Sequence, residues 1–177
     1  QRINAAVKQA TLASEKPFEL APVPPYVERV PAEYPVNPVS LPLEDKKSVL
    51  DEYNDIIWRT PGLQTSVINY GDSHKKTVFL NSSGSYITQE KMHVNLRVTA
   101  IASDGKEVQQ AGISTGSTGD ITFLKSLHPE IERISRHAVT LLSAPHIKGG
   151  EYNVVLDPIL AGVFIHEAFG HLSEADH

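Results

Sequence analysis

Residues 85–103, SYITQEKMHVNLRVTAIAS, are rich in Val, Ile and Thr and repeat with a period of two. That is the pattern of a strand with one face in the core. The run is long for a flat strand, so a bend or bulge midway is expected. Thr65–Tyr70, Lys76–Asn81 and Glu107–Ser114 have the same character, and Gly71-Asp72, Ser83-Gly84 and Asp104-Gly105 separate the segments. Turns this short join antiparallel neighbours. The expectation is a meandering antiparallel sheet.

On either side the period changes to that of a helix. Over 44–60, Val49, Leu50, Tyr53, Ile56 and Ile57 fall on one stripe, and Pro61-Gly62 ends it. Over 128–143 the stripe is Leu127, Ile131, Ile134, Ala138, Leu141 and Leu142, with Pro129 in the first turn and Pro145 beyond the end. Gly149-Gly150 and a short apolar strand, Tyr152–Leu156, follow. Asp157 is then a good N-cap and Pro158 a good first residue for a last helix. At the other end, residues 1–16 place Ile3, Ala6, Val7 and Ala10 on one helical face. Residues 17–43 hold eight of the twelve prolines. Proline fixes φ and removes a donor, so helix and inner strand are excluded there and an extended arm is expected. Such an arm can recruit a partner, but Phe18, Tyr26 and Tyr34 favour one that lies along its own domain. The fold class is α+β: an antiparallel sheet packed with helices, ending in a strand that feeds an apolar helix. Three regions result: 1–43, helix and proline-rich arm; 44–148, sheet and helices; 149–177, the start of a further domain.

Composition narrows the function. The 177 residues include 16 basic and 21 acidic groups, a net charge of −5, which supplies no basic excess for gripping nucleic-acid phosphates. The absence of cysteine excludes disulfides, thiol nucleophiles and thiolate metal ligands within the chain. No apolar run approaches the roughly 20 residues that span a bilayer. The chain opens Gln1-Arg2-Ile3 without a secretory signal pattern. A soluble, cytoplasmic protein with neither membrane nor nucleic-acid partner is expected, one whose first residue need not be the start of its gene.

The last helix carries the chemistry, in the pattern His166-Glu167-x-x-x-His171. In a regular α-helix a residue four positions on lies within about 40° of the same face, whereas five positions on it lies about 140° away. Two imidazoles so separated cannot both reach one zinc at about 2.0–2.1 Å. A π-type bulge or the end of the helix would reunite them, and Gly170 makes such a distortion inexpensive. Glu167 would then lie beside the metal, placed to take a proton from bound water. Seven of the eight residues from Ile159 to His166 are apolar or glycine, so the helix reads as buried, and ionisable groups on a buried helix require a reason. The competing reading makes both histidines neutral core groups bonded to carbonyls, with Glu167 paired to an Arg or Lys.

Val154–Pro158, Ala161–Val163, His166–His171, Glu174 and Asp176 together resemble the central motif of the TldD/PmbA family of metalloproteases, once labelled modulators of DNA gyrase. The likeness continues more weakly upstream, through Asn81-Ser-Ser-Gly84 and the helix before Val154, and it implies that 44–148 is part of the family's N-terminal domain and 149–177 the start of its metalloprotease domain, with the HExxxH helix. It implies that His166 and His171 bind zinc and that Glu167 is the catalytic general base. It makes Glu174 and Asp176 acidic positions with at most a supporting role. Further implications are hydrolysis of small or unfolded peptides, and a dimer with a like or PmbA-type subunit. The family's third zinc ligand is a cysteine from a later domain, and this chain has none. Glu174 and His177 could bind zinc chemically, but their closeness to the motif would strain a tetrahedral site. The chain is therefore expected to be a fragment that alone binds zinc weakly and hydrolyses little. The alternative is a non-catalytic peptide-binding or subunit-docking module with structural histidines.

Other features carry less. Gly112-Ile-Ser-Thr-Gly-Ser-Thr-Gly119 lacks the Gly-Lys-Ser/Thr ending of a phosphate loop and reads as a mobile loop. His74, His93, His128, His137 and His146 are scattered, and Ser114 and Ser117 have no neighbouring base.

Overall fold

The computed structural model describes residues 2–13, 22–119 and 121–174. These fall into two compact units, divided after Ser143. In the first unit helix α1 spans Arg2–Ala13, strand β1 Val27–Val30, helix α2 Leu43–Trp58, and helix α3 His128–Leu141. The sheet strands between α2 and α3 are β2, Leu63–Leu80, β3, Tyr86–Ser103, and β4, Val108–Ser117. The second unit holds helix α4, Pro158–Ile165, and the turns that continue it. The chain is thus α+β with a mostly antiparallel sheet, as its periodicities imply.

The turns at Ser83-Gly84 and Asp104-Gly105 form as expected, with φ of +95° at Gly84 and +86° at Gly105. They fold β2, β3 and β4 into an antiparallel meander centred on β3. Along β3, Met92, Val94, Leu96, Val98, Ala100 and Ala102 are buried, every second residue. Cross-strand partners extend that face, Ile68 and Ile113 beside Val98, and Tyr70 and Thr115 beside Leu96. Tyr53 and Ile57 of α2 and Ile131, Ile134 and Ala138 of α3 close the core from above. This is the helical stripe against the strand stripe that amphipathic patterning requires.

Three expectations need correction, and the extended arm gains an edge strand. Gly71-Asp72 is not a turn: β2 runs unbroken through it, with Gly71 opposite Asn95 and Asp72 opposite Val94. Asp72 is held in the strand by Lys46 of α2, whose Nζ lies 2.6 Å from its carboxylate. Nor does β3 bulge midway, because its register with β2 is continuous from Tyr86 to Ile101 and shifts only near Leu63. The proline-rich segment also yields a strand. β1 pairs in parallel with β3, Val27 opposite Tyr86 through Val30 opposite Gln89. It lies between Pro25 and Pro31, so no proline interrupts its ladder. Finally, Gly112–Ser117 is not a loop but the second half of β4, paired residue by residue with β3.

The arm does lie along its own domain. Tyr26 N–H donates to Ser85 Oγ at 3.2 Å, and Tyr86 N–H to the Tyr26 carbonyl at 2.8 Å. Pro38 is buried, while Tyr26 stays exposed, so backbone pairing rather than that aromatic ring anchors this stretch. At Gly119 the arm passes close: φ is +108°, and a Cβ there would fall 2.4 Å from the Glu33 carbonyl oxygen. Only glycine fits. Phe18 lies outside the described residues.

Tyr53 gives the core a measurable pH limit. Its ring is fully buried, meets His128 edge-on at 5.3 Å, and its hydroxyl has no hydrogen-bond partner among the described residues. Burial first, and the charge of Glu52 second, push its pKa up to about 12. Burial, and then Asp72, also push Tyr70 upward. The unfolded chain, with phenols near 10, loses these protons first, so stability is whole below about pH 10 and falls as pH rises toward 12. Tyr53→Phe should shift the alkaline unfolding midpoint, followed by circular dichroism, to higher pH. A lower midpoint would show that the hydroxyl is needed.

Candidate metal centre

Local signals build the second unit. Asp157 caps α4, its carboxylate accepting the Ile159 N–H at 2.9 Å, and Pro158 stands at the first turn. Both were expected. The strand expected at Tyr152–Leu156 is absent: the segment has no ladder partner among the described residues, and Val155 is fully exposed. The expected burial of α4 is also overturned. Ile159, Leu160, Val163, Phe164 and Ile165 are all exposed, and the helix has no buried residue. A unit confined to residues 144–177 is below the roughly 40 residues that can enclose a core without other support.

After Ile165 the helix widens. Residues His166–Gly170 form one π-helical turn, in which the His171 N–H donates to the His166 carbonyl, five residues back. A bond closed over five residues brings residues five apart back onto one face. The imidazoles of His166 and His171 consequently stand 4.7 Å apart, centroid to centroid, in an edge-to-face arrangement. Gly170 completes the turn beside them, where an added Cβ would sit 3.4 Å from His166 Nδ1. One ligand atom each from His166, Glu167 and His171 lies within 4.8 Å of the others. The distortion demanded by the five-residue spacing is therefore present, although Gly170 keeps ordinary helical backbone, φ −57° and ψ −51°, and an added Cβ would make only normal contact, so the turn does not depend on glycine.

The donor chemistry fits zinc: two imidazoles and a carboxylate, all exposed. Ligand atoms on a tetrahedral zinc stand roughly 3.4 Å apart, so the trio would need a modest side-chain rotation to close. His171 is gripped on both sides. Its Nδ1 lies 2.8 Å from Glu174 Oε1, and its Nε2 lies 3.6 Å from Glu167 Oε2. The contact with Glu174 was not legible in the motif, although a three-residue spacing after a histidine is a signal available in retrospect. Asp176 and His177 lie outside the described residues.

His74 lies 3.4 Å from Glu90 on the ribbon of β2 and β3. His128 stands at the start of α3, with Nε2 3.2 Å from Glu52 and Nδ1 3.2 Å from the Lys125 carbonyl.

Comparison with known proteins identifies the family. Residues 36–144, more than half of the chain, match the family described as the PmbA/TldA metallopeptidase central domain. A protein of Synechocystis sp. named a metalloprotease is 35% identical over 99% of this chain. The chain belongs to the TldD/PmbA family. A second TldD/PmbA relative, from Methanothermobacter thermautotrophicus and also named a metalloprotease, is 36% identical over 78% of the chain. A third, from Saccharolobus solfataricus and named a zinc metalloprotease TldD homolog, is 28% identical over 66% of the chain. The matches span 38%, 31% and 26% of these relatives, so the chain corresponds to well under half of their length. Among the described residues, no helix of this TldD/PmbA chain is long and apolar enough to cross a membrane.

Proposed function

We propose that this chain carries the metal-binding helix of a zinc-dependent metallopeptidase that hydrolyses small or unfolded peptides. One observation supports this above all: a π-turn brings together His166 and His171, which an unbroken α-helix would hold apart, with Glu167 beside them. A zinc ion there would supply Lewis acidity toward a peptide carbonyl and lower the pKa of a water. His166 and His171 would be its ligands. Glu167, adjacent in sequence and 3.6 Å from His171, would accept the proton of the attacking water and return it to the departing amine.

A catalytic zinc takes three protein ligands. With two histidines here, the third is proposed to come from outside this chain, as is the partner subunit of a dimer, like this one or PmbA-type. The test is zinc content and hydrolysis of an unstructured fluorogenic peptide, measured on the same full-length sample. One zinc per chain is expected, with hydrolysis stopped by a chelator and restored by zinc. Hydrolysis indifferent to metal removal would overturn the proposal.

A further inference from the structure

We propose that Glu174 is the positioning residue of the metal centre: it accepts the Nδ1 proton of His171 and so leaves the Nε2 lone pair free to face His166 and Glu167. The inference rests on the metallopeptidase reading only for its consequence, since the tautomer is a property of the metal-free chain.

The local backbone puts Glu174 there. Directly after the π-turn, His171–Ser173 tightens into a 3₁₀ turn, and the Glu174 N–H donates to the His171 carbonyl at 3.2 Å. In a 3₁₀ turn the side chains at i and i+3 eclipse, so residue 174 lies over residue 171 rather than beside it. Ser173 Oγ, donating to the Phe169 carbonyl at 3.1 Å, ties the same turn to the preceding one. Glu174 itself has extended backbone, with φ −76° and ψ 142°, so the helix stops where the carboxylate is delivered.

Two carboxylates then compete for the ring, and distance decides between them. Glu174 Oε1 lies 2.8 Å from Nδ1, a full hydrogen bond to a charged acceptor. Glu167 Oε2 lies 3.6 Å from Nε2, beyond hydrogen-bond range. Of the two ring nitrogens, Nδ1 is therefore the one placed to donate to a carboxylate. A carboxylate holding the far nitrogen of a metal-binding imidazole fixes ring orientation and raises its basicity as a ligand. Glu167, left without a ring proton, stays free as a base.

The test uses the 177-residue chain with ¹⁵N-labelled histidine, at about pH 8.5, two units above the usual imidazole pKa. Long-range ¹H–¹⁵N correlations on the metal-free protein should show the His171 proton on Nδ1. Glu174→Ala should lose that preference. Glu174→Gln, which keeps an acceptor oxygen, should retain it. Zinc affinity of the full-length protein, from competition with a chromophoric chelator, should weaken by about 10–100-fold in Glu174→Ala and by less in Glu174→Gln, at unchanged stoichiometry. A proton found on Nε2 in the parent chain, or a tautomer indifferent to Glu174→Ala, overturns the inference. A fall in zinc stoichiometry would make Glu174 a ligand and overturns it too. If the tautomer behaves as expected but the full-length parent binds no zinc, positioning by Glu174 stands and the metallopeptidase reading fails.

Discussion

Glu167→Gln in the full-length protein should reduce peptide hydrolysis by about 10²–10⁴-fold, the usual contribution of a positioned general base. Glutamine has nearly the same shape and can still accept a hydrogen bond, but it cannot take up a proton at neutral pH. Glu167 is exposed, and its Oε2 stays 3.6 Å from His171 Nε2, so the substitution disturbs no buried packing. Zinc content and thermal unfolding should therefore match the parent. That combination separates a catalytic carboxylate from a structural one. Retained hydrolysis in the variant would remove Glu167 from the mechanism, and loss of fold would favour the structural-histidine alternative.

The second large effect lies in the first unit. Ile134 of α3 is 1% exposed and belongs to the cluster that joins both long helices to the face of β3. Ile134→Ala removes buried methylenes and leaves a cavity that the strands cannot collapse to fill. A loss of about 2–5 kcal/mol is expected, and at this domain size a fall in Tm of roughly 10 °C. Ile3→Ala on α1, where Ile3 is 78% exposed, serves as the control and should change Tm hardly at all. Equal effects at the two positions would mean that α3 is not part of the core.

Much of the fold was legible because its signals are local. Asp157-Pro158 announced the start of α4, the apolar stripes announced α2 and α3, and Gly84 and Gly105 announced the turns of the meander. The candidate site was legible for a related reason. A five-residue histidine spacing followed by a stated metal requirement leaves a π-turn as the simple solution, and Gly170 marks where it closes. The misreadings share an opposite cause. Gly71-Asp72 looks like a turn to any local rule, yet Lys46 and the ladder with Asn95 and Val94 hold it straight. The glycines at 112 and 116 look like a loop until β3 pairs with them.

The amino-acid sequence by itself determined the helices, the turns at Gly84 and Gly105 and the identity of the three candidate metal-site residues, since each is set within about one turn of chain. Tertiary structure alone decided that β2 is one strand rather than two, that β1 adds itself to β3 in parallel, and that β4 continues through Ser117. Strand partners lie tens of residues away: Val27 meets Tyr86, and Asp72 meets Val94. A backbone hydrogen bond to a distant strand can hold glycine or aspartate extended against its local preference, and no local pattern records which distant strand will arrive.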